Sequence, residues 1–275
     1  MQLTTFINKL FGLLERKITS RWFNPFATLY VNFRTMPFSI AWHLPIYVYG
    51  RVKFKNLKGK IEFTCKVKSG LIKMGRHDDI YHHAPYGILF LDTNAKIVFN
   101  GYCSIAAGFI WRVSDTGILN IGSFSGFGNF CRIFCSNDIR IGEHCRITYN
   151  CILMDTNSHY TINLQNYKVY RKEGIIEIGS KNWIGNNSRI LKGCKTGEGT
   201  IVTAGSMVNK DFSEYCNVLL SGTPAEIKRE SISRCFSFTR ENEINNFFKT
   251  HPQAKYMEYD ETYIDPVEDL IQFFK

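Results

Sequence analysis

Between Ile178 and Val208 the chain places an aliphatic or near-isosteric residue every six positions, at Ile178, Ile184, Ile190, Thr196, Val202 and Val208, with Gly179, Gly185 and Gly197 directly after three of them. An alternating strand repeats every two residues and an amphipathic helix about every 3.6. A sustained six-residue beat therefore demands a chain that turns a corner after each short strand, and three hexads make one triangular turn of a parallel β-helix. The same beat runs upstream through Ile121, Phe127 and Ile133 and, after a two-residue slip, through Ile141, Ile147 and Leu153. Two positions before nine of these twelve residues stand Ser125, Cys131, Cys145, Cys151, Ser188, Cys194, Thr200 and Ser206, with Asn182 the one bulkier occupant of the nine. Stacked coils put one slot at one height in every turn, so one steric limit recurs.

That slot disposes of much of the cysteine question. The chain has nine cysteines, an odd number with no CxxC pair, and four of them fill the small slot as packing residues. A reducing, cytoplasmic setting follows from this usage. At the N-terminus, Leu3, Phe6, Ile7, Leu10, Phe11, Leu14 and Ile18 are interleaved with Asn8, Lys9, Glu15, Arg16 and Lys17, which reads as an amphipathic helix rather than a signal peptide or membrane span. Such a helix packs on the β-helix or a neighbouring subunit, or lies on the inner face of the membrane as a peripheral contact, where Arg21 and Arg34 add attraction.

The formal net charge is +10. No nucleic-acid motif accompanies it and the positive charges read as spread along the chain, so nucleic acid is excluded as a partner. A small polyanion or anionic lipid-linked substrate remains, and Lys192, Lys195, Lys210, Lys228 and Arg229 gather in and after the last coils.

Three regions follow. Residues 1–60 hold the N-terminal helix and an irregular aromatic stretch punctuated by Pro25, Pro37 and Pro45; residues 61–222 form the β-helix; residues 223–275 form a tail, with a short helix over Glu241 to Phe248. Within the β-helix, the run Asp155, Thr156, Asn157, Ser158, His159, Tyr160 leaves the repeat and opens a polar excursion that ends at Ile176. Chemistry concentrates on such loops. His159, four residues after Asp155 and six after Leu153, suits a general base whose ring an oxygen acceptor orients, and it falls where the next inward residue would stand had the coil continued.

The stretch from Ile176 to Arg229 carries NWIG, AGSMV and GTPA downstream of DTNSH, and with these motifs it resembles the hexapeptide-repeat acyltransferases, in type the bacterial capsule and O-antigen polysaccharide O-acetyltransferases. The resemblance implies an all-β, left-handed parallel β-helix, usually a homotrimer, with a loop excursion after the catalytic histidine. It implies transfer of an acetyl group from acetyl-CoA to a hydroxyl of a surface-polysaccharide sugar or its precursor, directly and without a metal. His159 is then the base, with Asp155 beside it in the catalytic set, and the active site lies in a cleft between subunits.

By the same resemblance Asn186 and Ala204 border the pantetheine arm of CoA, Asn209 and Lys210 its nucleotide end, and Lys228 and Arg229 its phosphates. Thr203 and Thr223 depart from the family pattern, where glycine and asparagine are usual. On the acceptor side Asn157, Tyr160 and Trp183 are the candidates, and Tyr167 and Tyr170 offer further flat faces. The alternatives are another small acceptor, such as an amino sugar nucleotide, an amino acid or an antibiotic, and a catalytically silent β-helix scaffold. A γ-class carbonic anhydrase needs three histidines around zinc, and the repeat region holds only His144 and His159, with His82 and His83 before it.

Overall fold

The structure, a computed structural model, describes residues 22–76 and 86–258. The amphipathic segment over residues 1–18, His82, His83 and the last part of the tail lie outside the described residues. What is described is mostly strand, in three sheets of nine, seven and seven strands, parallel except for the last pair of the nine, plus a two-stranded ribbon. Successive strands go to successive sheets, so the chain coils around a triangular core. The first sheet contains Cys103–Ala106, Ser125–Phe127 and Trp183–Ile184; the second Ile110–Val113, Arg132–Cys135 and Ile152–Met154; the third Ile118–Ile121, Asp138–Ile141 and Ile175–Ile178.

Register shows how the six-residue beat becomes a coil. Trp183 pairs with Ile201 and Ile201 with Leu219, so a late turn takes eighteen residues, or three hexads. Earlier turns are longer, since Ser125 pairs with Cys103 and Arg146 with Gly126, which explains the interrupted beat upstream. The residues on the beat all point inward: Ile121, Phe127, Ile133, Ile141, Ile147, Leu153, Ile178, Ile184, Ile190, Thr196, Val202 and Val208 are buried.

The hand follows from hydrogen-bond direction. On an extended L-residue whose side chain faces the viewer and whose chain runs upward, N–H and C=O both leave to the right. The outward-facing Ile88, Ile110, Arg132 and Ile152 donate their N–H groups to Phe109, Cys131, Cys151 and Ser188, each in the following coil. A chain that climbs on its near face while advancing to the right is left-handed. This is the left-handed parallel β-helix, an exception to the right-handed crossover preference.

The small slot behaves as the pattern implies. Cys131, Cys145, Cys151 and Cys194 are buried and free, and the first three donate S–H to Thr148, Gly179 and Gly185 carbonyls one coil on. Burial pushes the Cys145 thiol up to about 11 and Cys194 up to about 12. Asn182 fits because its neighbour on the beat is polar too. Its amide donates to the Gly197 carbonyl at 2.8 Å while the Thr196 hydroxyl donates to its Oδ1 at 2.8 Å.

The ends of the coil depart from the sequence reading. The proline-punctuated stretch is ordered: helix α1 spans Pro25–Thr35, capped by Asn24, whose Oδ1 accepts from Ala27 N, and the short helix α2 spans Phe38–Ala41. Pro25 opens α1 and Pro37 closes it, as fixed φ and a missing N–H favour. Coiling starts at Ile46–Val48, which pairs with Ile72–Arg76, so the first turn takes in residues read above as irregular. At the far end Ala225–Arg229 folds back antiparallel onto Leu219–Gly222, closing the first sheet. Helix α3 spans Phe238–Thr250 and starts at Ser237, whose hydroxyl accepts from Arg240 N. No described helix is long and apolar enough to cross a membrane.

Candidate functional site

The excursion leaves the coil at the corner between the second and third sheets. Its last inward residue is Asp155, not His159. Cys135 pairs with Val113 and Met154 with Phe134, so Asp155 continues an inward column that elsewhere holds Val113 and Cys135. It is fully buried. Its carboxylate accepts from Ser136 N at 2.9 Å and from Asn137 N at 2.8 Å, the turn of the coil before. Burial raises its pKa above the ordinary carboxylate value, and the Ser136 and Asn137 amides pull the other way.

From that anchor the neck is stitched shut. Gly174 N donates to the Asp155 carbonyl at 2.7 Å, Asn137 Nδ2 to the Gly174 carbonyl at 2.9 Å, and Asn157 N to the Lys172 carbonyl at 2.9 Å. Thr156 and Glu173 form an antiparallel bridge, and Ile162–Asn163 pairs with Lys168–Val169 further out. Register is therefore lost after Asp155, and His159 is exposed rather than inward. Its backbone N–H closes a tight turn on the Asn157 carbonyl at 2.7 Å, with Ser158 at φ 63° between them. No hydrogen bond links His159 to Asp155 among the described residues. Within this chain Asp155 clamps the neck through Ser136, Asn137 and Gly174.

Asn157, His159 and Tyr160 thus share one short exposed ribbon, with the Lys172 ammonium 5.3 Å from the Tyr160 ring centre. Along the same edge, in the next two coils, stand Lys192, whose Nζ donates to the Arg171 carbonyl at 3.0 Å, and the exposed Asn209 and Lys210. Two of the expected CoA contacts therefore lie on the histidine's own edge.

The other candidates lie elsewhere on the chain. Asn186 and Ala204 occupy successive coils at the corner between the first and second sheets, where Gly205 N donates to the Asn186 carbonyl at 2.8 Å. A Cβ on Gly205 would meet nothing within 4 Å, so this edge is open. Sequence reading passed over the polar ladder on it, in which Arg132 donates to Asn150 at 2.8 Å and Asn150 to Asn187 at 2.7 Å. Its signal is asparagine recurring at φ 57° and 61°, a conformation Asn tolerates. Lys228 is exposed and paired to Glu226 at 2.8 Å, and Arg229 is exposed beside it. Trp183 faces outward from the first sheet with the Arg234 guanidinium 5.2 Å from its ring centre, on a different face from His159. Among the described residues no group of three His, Cys, Asp or Glu is placed to hold a metal.

No family model matches the chain. It is similar to a putative acetyltransferase of Staphylococcus aureus, 33% identical over 112 residues, which are 34% of this chain and 55% of that protein. A putative colanic acid biosynthesis acetyltransferase, WcaF, of Escherichia coli K12 is 29% identical over 119 residues, 42% of this chain and 59% of the relative. Chloramphenicol acetyltransferase of Klebsiella aerogenes is 25% identical over 169 residues, 62% of this chain and 71% of the relative. The chain spans about half the length of the Staphylococcus relatives it matches. Among solved structures, the polySia-specific acetyltransferase NeuO matches with a TM-score of 0.47 at 19% identity, over 75% of this chain and 99% of that one. The three curated relatives are all named acetyltransferases, which agrees with the motifs.

Proposed function

We propose that this protein is an O-acetyltransferase that moves an acetyl group from acetyl-CoA to a hydroxyl of a bacterial surface-polysaccharide sugar or its precursor. The observation that carries the reading is the placement of His159, an exposed imidazole on a neck held rigid by a buried carboxylate and bordered by a basic edge. Acetyl-CoA, when bound, supplies the acetyl group already activated as a thioester. The chain's own part is positioning and proton transfer. His159 accepts the proton of the acceptor hydroxyl as its oxygen attacks the thioester carbonyl, and gives that proton to the CoA sulfur as the C–S bond breaks, releasing CoA and the acetyl ester. Asn157 and Tyr160 stand beside it with a hydrogen-bonding amide and a flat ring for a sugar.

Two edges serve the donor. The strip at Asn186, Ala204 and Gly205 has little side-chain relief, which suits a slender arm lying against backbone. Lys210 and Arg229 offer charge for phosphates. One chain leaves this strip and His159 on different edges, so the reading requires a second copy to bring them face to face, in the homotrimer implied by the resemblance. Holding both substrates in one cleft contributes the remaining rate enhancement through proximity.

The chloramphenicol acetyltransferase likeness, the longest of the three alignments, favours a second reading in which the acceptor is a small molecule. Both readings are tested by following CoA release from acetyl-CoA against sugars, nucleotide sugars, lipid-linked oligosaccharides and chloramphenicol. Turnover with a sugar acceptor is expected, falling about 10²- to 10⁴-fold in His159→Ala. Full activity in that variant would remove the base from the mechanism, and turnover confined to chloramphenicol would replace the acceptor.

A further inference from the structure

Helix α1 is built inside out. Of its four buried positions only Val31 is apolar, the others being Thr28, Asn32 and Thr35; Asn32 brackets the edge of the first strand, donating from Nδ2 to the Ile46 carbonyl at 2.7 Å and accepting from Ile46 N at 3.1 Å. Thr28 Oγ1 accepts from Val48 N at 3.0 Å. The helix thus closes the open end of the β-helix by satisfying its strand edge. Its outward positions are Phe26, Leu29, Tyr30 and Phe33, all exposed, with Phe26 at 83%. Phe38 and Trp42 extend the face at 68% and 69% exposure, with ring centres 5.7 Å apart from Phe33 to Phe38 and again from Phe38 to Trp42.

The charge sits at the same end. From Trp22 to Arg76 the chain has ten Lys and Arg and a single acidic residue, Glu62, whereas from Tyr86 to Lys275 twenty basic residues balance twenty acidic ones. The expectation that positive charge is spread along the chain is corrected by this count. Arg51, Lys53, Lys55, Lys58 and Lys60 are exposed on the first coil. Arg34, Lys58 and Lys60 line a groove of about 660 Å³ that runs between the end of α1 and that coil.

We propose that this end of the β-helix docks on the surface of an anionic lipid bilayer, with Phe26, Phe33, Phe38 and Trp42 entering the headgroup region and the lysines and arginines around them facing lipid phosphates. Large aromatic side chains beside cations, with one acid among them, are the composition that binds such an interface. A helix of eleven residues, too short to span, lies in the interface plane. The face belongs to the end cap and not to the corners that carry His159 and Asn186, so docking leaves both edges of the proposed site open, and the inference stands whatever reaction the protein performs.

The test is co-sedimentation of the full chain with phosphatidylcholine vesicles and with vesicles containing phosphatidylglycerol. Binding to the anionic vesicles is expected, with weak binding to the neutral ones and loss as salt is raised. Lys55→Gln with Lys58→Gln should weaken it about fivefold per charge removed. Phe38→Ser with Trp42→Ser should weaken it about tenfold or more. Thermal melting shows that the variants fold; were the aromatic pair to lower Tm, the lysine pair carries the test by itself. Equal binding to both vesicle types, or unchanged binding by both variants, overturns the proposal. So does a change in molar mass by light scattering in the aromatic variant with vesicle binding intact, which would make the face a contact between copies.

Discussion

Two residues that break the repeat do so in concert. Asn182 overfills a slot meant for small side chains, and Thr196 puts a hydroxyl where the beat calls for an aliphatic group; in the core they satisfy one another. Thr196→Val keeps the shape and removes the donor, leaving Asn182 Oδ1 unpaired in a buried site, which should cost about 1–3 kcal/mol in urea denaturation. Adding Asn182→Ser restores the pattern of Ser188 and Ser206 and should recover most of that loss. His144 gives the pH dependence. Its ring stacks 5.2 Å from Phe124 at 8°, and burial first, with Arg146 second, lowers its pKa, while Glu143 acts in the opposite sense. The unfolded chain then binds its proton at higher pH than the fold does, so stability is held above about pH 6.5 and drops as pH falls through that value. His144→Phe, which copies Phe124 in the coil before, should flatten the decline in Tm between pH 7.5 and 5.5. Buried Asp155, with a raised pKa, has the opposite sign and is unchanged in that comparison.

The excursion shows where sequence ceases to specify structure. Up to Leu153 each inward residue follows from periodicity, because coil stacking fixes it. After Asp155 nothing periodic acts, and counting six more residues to His159 names the right loop but the wrong environment, since the ribbon carries that side chain outward. The neck depends on contacts between Asp155, Asn137 and Gly174, which are far apart in sequence and follow no spacing rule. Asp155→Val fits a column that already holds valine and cysteine, yet it orphans the Ser136 and Asn137 N–H groups. A loss of about 1–3 kcal/mol is expected, with faster amide exchange over residues 156–174 and a parallel loss of activity. His159→Ala should lower activity about 10²- to 10⁴-fold while leaving exchange over the same residues unchanged. Equal exchange in the two variants would show that Asp155 does not hold the neck.

At the scale of the whole molecule the coil is a one-dimensional stack, legible from Ile178 to Val208 because every turn repeats the same constraints, and illegible at its ends because a cap has no repeat to follow. The polar inward face of α1 looks like a surface helix in sequence, since its threonines and asparagine are where solvent-facing residues are expected and its aromatics where a core is expected. Only the unpaired edge of Ile46–Val48 explains the inversion. In a stack of nearest-neighbour contacts a lesion at one end propagates from that end. Asn32→Ala leaves both the N–H and the carbonyl of Ile46 without partners in a buried position, a cost of about 2–4 kcal/mol. Because the later coils keep their own neighbours, the loss should be local: amide exchange over Ile46–Val48 and Ile72–Arg76 rises first, while Ile133 and Ile190 stay protected. Thr196→Val, placed inside the stack, should instead lower the main unfolding transition. If Asn32→Ala shifts the main transition with no earlier local opening, the coils unfold as one cooperative unit and the cap is energetically part of all of them.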